Sequence, residues 1–140
     1  MVAAMAELNP AIPVLVVDDQ PVIRAAVRKV VDASPGFVTA GSVTCGEDAL
    51  EILPSVEAQL VLMDVDLPGL GGIETARLIK KRHPEVVVVL LSAGVSADFG
   101  GATAFRQVIV DKRLLSPTLL RLVWEQGRPN GVRSQRPRWP

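Results

Sequence analysis

The chain has 140 residues, 49% of them apolar and 21% charged, with 15 basic side chains against 15 acidic ones. That is the length of one domain, with enough apolar material for a packed core, which excludes a disordered chain. A net charge of +0 leaves no global field to draw the protein onto nucleic acid or an anionic membrane.

In chain order, residues 1–11 read as an N-terminal extension. The opening Met1–Glu7 has neither a basic n-region nor a long apolar core, so it does not read as a signal peptide. The first strand is predicted over Ile12–Asp18, an apolar run ending in the carboxylates Asp18 and Asp19. A helix over Pro21–Ala33 opens on proline and sets Val22, Ile23, Ala26, Val27 and Val30 on one stripe. Phe37–Val43 is the second strand. Cys45 leads into a short helix over Glu47–Leu53, which Pro54 is expected to stop. One cysteine forms no internal disulfide and suits a reducing compartment.

Leu60–Asp64 is the third strand, again ending in a carboxylate, with Asp66, Pro68 and Gly69-Leu70-Gly71-Gly72 in the turn that follows. The glycines lack the dinucleotide-binding spacing and read as turn and helix entry. The helix Gly72–Arg82 stops before His83-Pro84, where the pre-proline position disfavours helix. His83, the only histidine, reads as a surface residue, and one histidine excludes a multi-histidine metal site. Val86–Ser92 is β-branched and uninterrupted, as in a central strand covered on both faces. Val95–Gln107 is weak, with Gly100-Gly101 in its middle. Val108–Asp111 is the fifth strand, and Ser116-Pro117 caps a last helix through Glu125. Residues 127–140 carry four arginines and no acid and read as a disordered tail, leaving 11 basic against 15 acidic side chains in residues 1–126. No apolar run approaches the roughly 20 residues that a membrane helix needs.

Strands alternating with helices predict an α/β fold around a parallel sheet, with ligands beyond the carboxyl ends of the strands. Those ends offer Asp18 and Asp19, Asp64, Ser92 and Lys112. Three carboxylates sharing a pocket repel one another unless a cation sits among them, and oxygen-only ligands favour a hard divalent ion, Mg²⁺ before zinc or copper.

With Val16-Val17-Asp18-Asp19, Met63-Asp64 before Leu67-Pro68 and Gly72, Leu91-Ser92-Ala93, and Asp111-Lys112 before Leu115-Ser116-Pro117, the sequence resembles the receiver domain of two-component response regulators over residues 12–126. The resemblance implies a doubly wound five-stranded parallel sheet in the flavodoxin-like order 2-1-3-4-5, with helices on both faces. It implies Asp64 as the phosphoacceptor. Mg²⁺ would be held by Asp18, Asp19, Asp64 and the backbone carbonyl of Asp66. Lys112 would contact the phosphoryl group, and Ser92 would be the switch hydroxyl. The phosphoryl donor would be a sensor histidine kinase or a phosphotransfer protein. The chain would then be a cytoplasmic signalling phosphoacceptor with slow autodephosphorylation rather than an enzyme. It would act on a downstream protein with no direct nucleic-acid or membrane binding, a homodimer being a further option.

This chain departs from the family's pattern at three places. Ile109 stands where members usually carry an aromatic, Arg113 replaces the common proline after the lysine, and glycines interrupt 95–107 where the family has its fourth helix. The expectation for 95–107 is a segment of low local stability that phosphorylation orders through Ser92. Two alternatives belong to other classes. One is a receiver-like scaffold without phosphorylation. The other is a haloacid-dehalogenase-type phosphatase using Asp64 and Asp66, although Pro68 departs from that motif and Asp18-Asp19 have no part in it.

Overall fold

The computed structural model describes residues 10–94 and 108–128. Its elements are β1 (Ile12–Val17), α1 (Pro21–Ala33), β2 (Phe37–Val43), α2 (Gly46–Val56), β3 (Leu60–Asp64), α3 (Gly72–Arg82), β4 (Val87–Ser92), β5 (Val108–Asp111), a 3₁₀ turn over Lys112–Leu114, and α4 (Pro117–Gly127). The five strands are parallel, as the strand–helix alternation predicts, and ordered β2-β1-β3-β4-β5, as the resemblance implies.

Alternation along the strands divides the core in two. Val14, Val16, Leu60, Leu62, Val89 and Leu91 face α1 and α4, where Val27, Val31, Leu120 and Trp124 meet them. Leu15, Val17, Val61, Met63, Val88 and Leu90 face the opposite way onto Ala49 and Leu53 of α2 and Ala76 and Ile79 of α3. The three inner strands are therefore apolar on both faces, which is why they read as unbroken runs. Because both faces are committed, register is fixed: a slip of one residue would exchange the two cores. In that register Val17 lies beside Met63, Asp64 beside Leu91, and Ser92 beside Asp111, so the polar strand ends come to one edge.

The helix expected over Glu47–Leu53 runs instead from Gly46 to Val56, with Pro54 inside it. Pro54 does not stop it: the bond lost to the Leu50 carbonyl is borne by a helix whose Ala49 and Leu53 are packed in the core. The stop comes at Glu57, in the left-handed conformation at φ 51°, whose N–H donates to the Leu53 carbonyl. The last helix also outruns its expected end. Gly127 closes α4 and Arg128 is buried with its guanidinium over the Trp124 ring, so the first two residues assigned to the tail belong to the packed fold. Residues 129–140, the extension to residue 9, and the weak stretch Val95–Gln107 lie outside the described residues. Among the described residues no helix is long and apolar enough to cross a membrane.

Candidate functional site

Asp18 directly follows β1, its N–H donating to the Val43 carbonyl of β2 at 3.1 Å, so the sheet carries it although it is no longer strand. The Asp18 side chain is buried, and the Gln20 N–H donates to its Oδ1 at 2.9 Å. Arg24, in the first turn of α1, donates to the Asp18 backbone carbonyl at 2.8 Å. Asp19 beside it is exposed.

Asp64 ends β3 and is buried. Its Oδ1 accepts the Asp66 N–H at 3.0 Å, which turns the chain sharply after the strand. Gly72 holds that turn from below. A Cβ there would lie 2.1 Å from the Asp64 carbonyl oxygen, so only glycine lets α3 start this close. Glu47, in the first turn of α2, accepts the Leu70 N–H at 3.2 Å and ties the same loop to the neighbouring helix.

The Asp18, Asp19 and Asp64 carboxylates each offer an oxygen within 4.8 Å of the others. Lys112 reaches in from the turn after β5, its Nζ 3.0 Å from Asp18 Oδ2 and 3.3 Å from Asp64 Oδ2. Burial raises the Asp64 carboxyl above its usual range. The Asp66 N–H and the Lys112 charge partly offset this, and the Asp18 charge reinforces it. Burial also works against the Lys112 ammonium, yet the carboxylates of Asp18 and Asp64 hold its pKa above the usual lysine value. Three carboxylates face one ammonium, so negative charge remains. With oxygen-only donors, two of them buried, the cluster fits a hard divalent cation such as Mg²⁺.

Asp18, Asp19, Asp64 and Lys112 thus converge. Ser92 is buried one residue beyond the Leu91 that pairs with Asp64, but its hydroxyl donates to the Gly94 carbonyl and accepts the Gly94 N–H within its own loop. Asp66 is exposed and stands apart from the carboxylate cluster, which leaves its backbone as the part that could serve a metal. Ile109 packs partly buried against the core beneath α2 and α3. The Lys112–Arg113 peptide is not cis, and a 3₁₀ turn presents Lys112 instead. Cys45 caps α2 without a side-chain bond and His83 caps α3, and neither belongs to the carboxylate cluster. Sequence reasoning passed over Arg24 and Glu47. An arginine one turn into the helix after an acidic pair was a usable signal, whereas nothing in the sequence links Glu47 to a loop 23 residues away.

The family model for the response regulator receiver domain matches residues 14–111. The chain belongs to that family. Response regulator GacA of Pseudomonas aeruginosa is 30% identical over 128 residues, covering 77% of this chain and 60% of that protein. Response regulator UvrY of Escherichia coli is 36% identical over 81 residues, covering 58% of this chain and 37% of that protein. This receiver chain thus spans less than two thirds of either relative. Among solved structures, the response regulator domain of Thermotoga maritima CheB is 26% identical with a TM-score of 0.71, over 84% of this chain and 96% of that one. The NarL receiver domain of Mycobacterium tuberculosis, 22% identical at a TM-score of 0.72, covers 84% of this chain and 96% of that one and speaks for the fold.

Proposed function

We propose that this receiver domain is a phosphoacceptor that takes a phosphoryl group onto Asp64 from the phosphohistidine of a sensor kinase or phosphotransfer protein. The observation that carries the reading is the Lys112 ammonium lying between Asp18 and Asp64 in a carboxylate cluster that still holds excess negative charge. An Asp64 carboxylate oxygen attacks phosphorus, the P–N bond to the donor imidazole breaks, and its electron pair leaves with the imidazole, which takes up a proton. The product is an acyl phosphate. Such transfer is chiefly positioning and neutralisation of the equatorial phosphoryl oxygens.

The residues divide that work. The Asp66 N–H holds one Asp64 oxygen, which leaves the other, now paired with Lys112, as the attacking atom. Lys112 would follow the charge from carboxylate to phosphoryl oxygen. Asp18, Asp19, Asp64 and the Asp66 backbone carbonyl would hold Mg²⁺, which when bound supplies the second neutralising charge. Ser92 would exchange its Gly94 bonds for a phosphoryl oxygen, a contact made in one state only and so able to bias a two-state equilibrium. A cytoplasmic location and a downstream protein target belong to the same proposal.

Incubation with a small phosphodonor such as acetyl phosphate and Mg²⁺ should add one phosphoryl mass, labile to hydroxylamine, and Asp64→Asn should abolish it. Undiminished labelling of that variant would place the acceptor elsewhere. The phosphatase alternative asks Asp66 to act as general acid, and an exposed side chain outside the cluster suits that role poorly; sustained multiple turnover of a phosphomonoester would revive it. A scaffold indifferent to phosphorylation would stay unlabelled at millimolar Mg²⁺.

A further inference from the structure

Lys112 has one neighbour on each side, and the two are joined to each other. The Asp111 carboxylate accepts the Arg113 backbone N–H at 2.9 Å and Arg113 Nε at 3.1 Å on one oxygen, and Arg113 Nη2 at 2.6 Å on the other. These three bonds close around the residue that reaches into the carboxylate cluster. We propose that Asp111 and Arg113 form a clamp that positions Lys112, an inference that uses the phosphoacceptor reading for one of its two readouts.

Several observations support a positioning role over a decorative ion pair. Asp111 is already fixed on its N-terminal side by pairing with Ser92 in the sheet. Its side chain then fixes the residue after Lys112, so Lys112 is held from both directions. The Leu115 N–H closes the turn on the Lys112 carbonyl at 3.3 Å. Without the clamp the backbone between Asp111 and the packed Leu115 keeps that one long bond among the described contacts, on a segment where Arg113 and Leu114 are exposed. The Arg113 fork, both charged and bidentate, holds the Asp111 carboxyl down at about 2. The Asp111 carboxylate is therefore ionised at neutral pH and available to accept all three bonds.

An exposed ion pair contributes little to global stability. What this one can do is restrict where the long, flexible Lys112 side chain begins. A small displacement at a reacting centre is costly, on the order of a hundredfold per ångström. Asp111 and Arg113 are accordingly positioning residues, since neither touches the Asp64 carboxylate.

The test uses the full chain and two measurements. The first is NMR relaxation of the Lys112 ε-methylene and ammonium in unphosphorylated protein. Wild type should show an ordered side chain, Asp111→Ala a mobile one, and Asp111→Asn, which keeps an acceptor for the Arg113 N–H, an intermediate one. The second is the acetyl phosphate labelling rate in a double-mutant cycle with Lys112→Ala. Asp111→Ala alone should slow labelling about tenfold with an unchanged Mg²⁺ affinity and melting temperature, and should have no further effect once Lys112 is alanine. Unchanged Lys112 order in Asp111→Ala, or an equal slowing in both backgrounds, overturns the clamp. If wild type takes no label at all, the phosphoacceptor reading falls, while side-chain order still decides the clamp.

Discussion

Two lysines at opposite edges of the same sheet show what separates a structural end from a chemical one. Lys80, in the last turn of α3, donates to the carbonyls of Pro84 at 3.2 Å and Val86 at 2.7 Å, where the chain enters β4. Burial lowers its pKa, with the Glu85 charge as a partial offset. Lys112, at the carboxyl edge, also suffers burial, yet the charges of Asp18 and Asp64 reverse the sign. Neutral carbonyls satisfy an ammonium without making it indispensable to any chemistry. Carboxylates in excess of their lysine leave a site that can gain from more positive charge, which a divalent cation would supply.

The widest separation between the two ends should appear in phosphorylation rate. Lys112→Ala should slow labelling by about 10² to 10³, the usual loss when a preorganised donor at developing charge is removed. Lys80→Met should leave the rate unaltered and instead destabilise the fold by about 1–3 kcal/mol, because two carbonyls lose a charged donor. Denaturant melts and labelling kinetics on both variants would check the pair, and a slow Lys80→Met would break the contrast.

Metal should separate the ends in the same way, with a smaller effect. A ligand that binds only the folded state at a hundredfold excess over its Kd stabilises by about 2.7 kcal/mol. Mg²⁺ should therefore raise the melting temperature of wild type and of Lys80→Met alike, and Asp19→Ala should lose most of that gain. A Mg²⁺ response that survives in Asp19→Ala would remove Asp19 from the metal set.

The pH dependence has opposite limits for the two partners. Burial raises the folded Asp64 pKa above its unfolded value, so its favourable contribution is full below the unfolded pKa and is lost as pH rises through the folded one. At neutral pH the ionised carboxylate is a burden, and Asp64→Asn should stabilise metal-free protein. That advantage should shrink as pH falls through the carboxylate range. Lys112 is also raised, so its contribution persists through neutral pH and is lost only on the alkaline side, as pH climbs through its folded pKa. Urea titrations of both proteins from acid to neutral pH in EDTA test the sign. A neutral-pH loss of stability in Asp64→Asn would mean that the Lys112 and Asp66 contacts outweigh burial.

How much of this was legible from the sequence follows from the range of the forces involved. Strand ends were legible because a buried parallel strand must be apolar until it leaves the core, so the first acid after Val17 or Met63 marks the edge. The convergence of Asp18, Asp19 and Asp64 then needed only the parallel sheet. Contacts that depend on how one loop lies against another carried no such mark: Glu47 on the Leu70 N–H, or the Ser92 hydroxyl turned to Gly94. The Asp111–Arg113 pair is local, an acid two residues before an arginine, yet that spacing is common on protein surfaces and does not by itself mark a bidentate bond. Pro54 misled for an energetic reason. Core packing of Ala49 and Leu53 outweighs the proline's lost bond, and the true stop was a non-glycine left-handed residue that propensity would not choose.

That residue supplies the smallest effect, and it belongs to the structural edge. Glu57 sits at φ 51°, where an L side chain crowds the following carbonyl at a cost of roughly 1–2 kcal/mol. Its N–H still donates to the Leu53 carbonyl at 3.1 Å, so the position serves as a helix C-cap in which glycine is the usual occupant. Glu57→Gly relieves the crowding but frees the unfolded chain, a loss on the order of 0.5–1 kcal/mol. The net expectation is a stabilisation of about 0.5–1 kcal/mol from these opposed effects. Because Glu57 leads into β3 at the end opposite Asp64, labelling rate and Mg²⁺ affinity should stay at wild-type values. A variant that grew more stable and also slower to phosphorylate would show that the two edges communicate through β3, and the separation drawn from the two lysines would then hold for charge but not for motion.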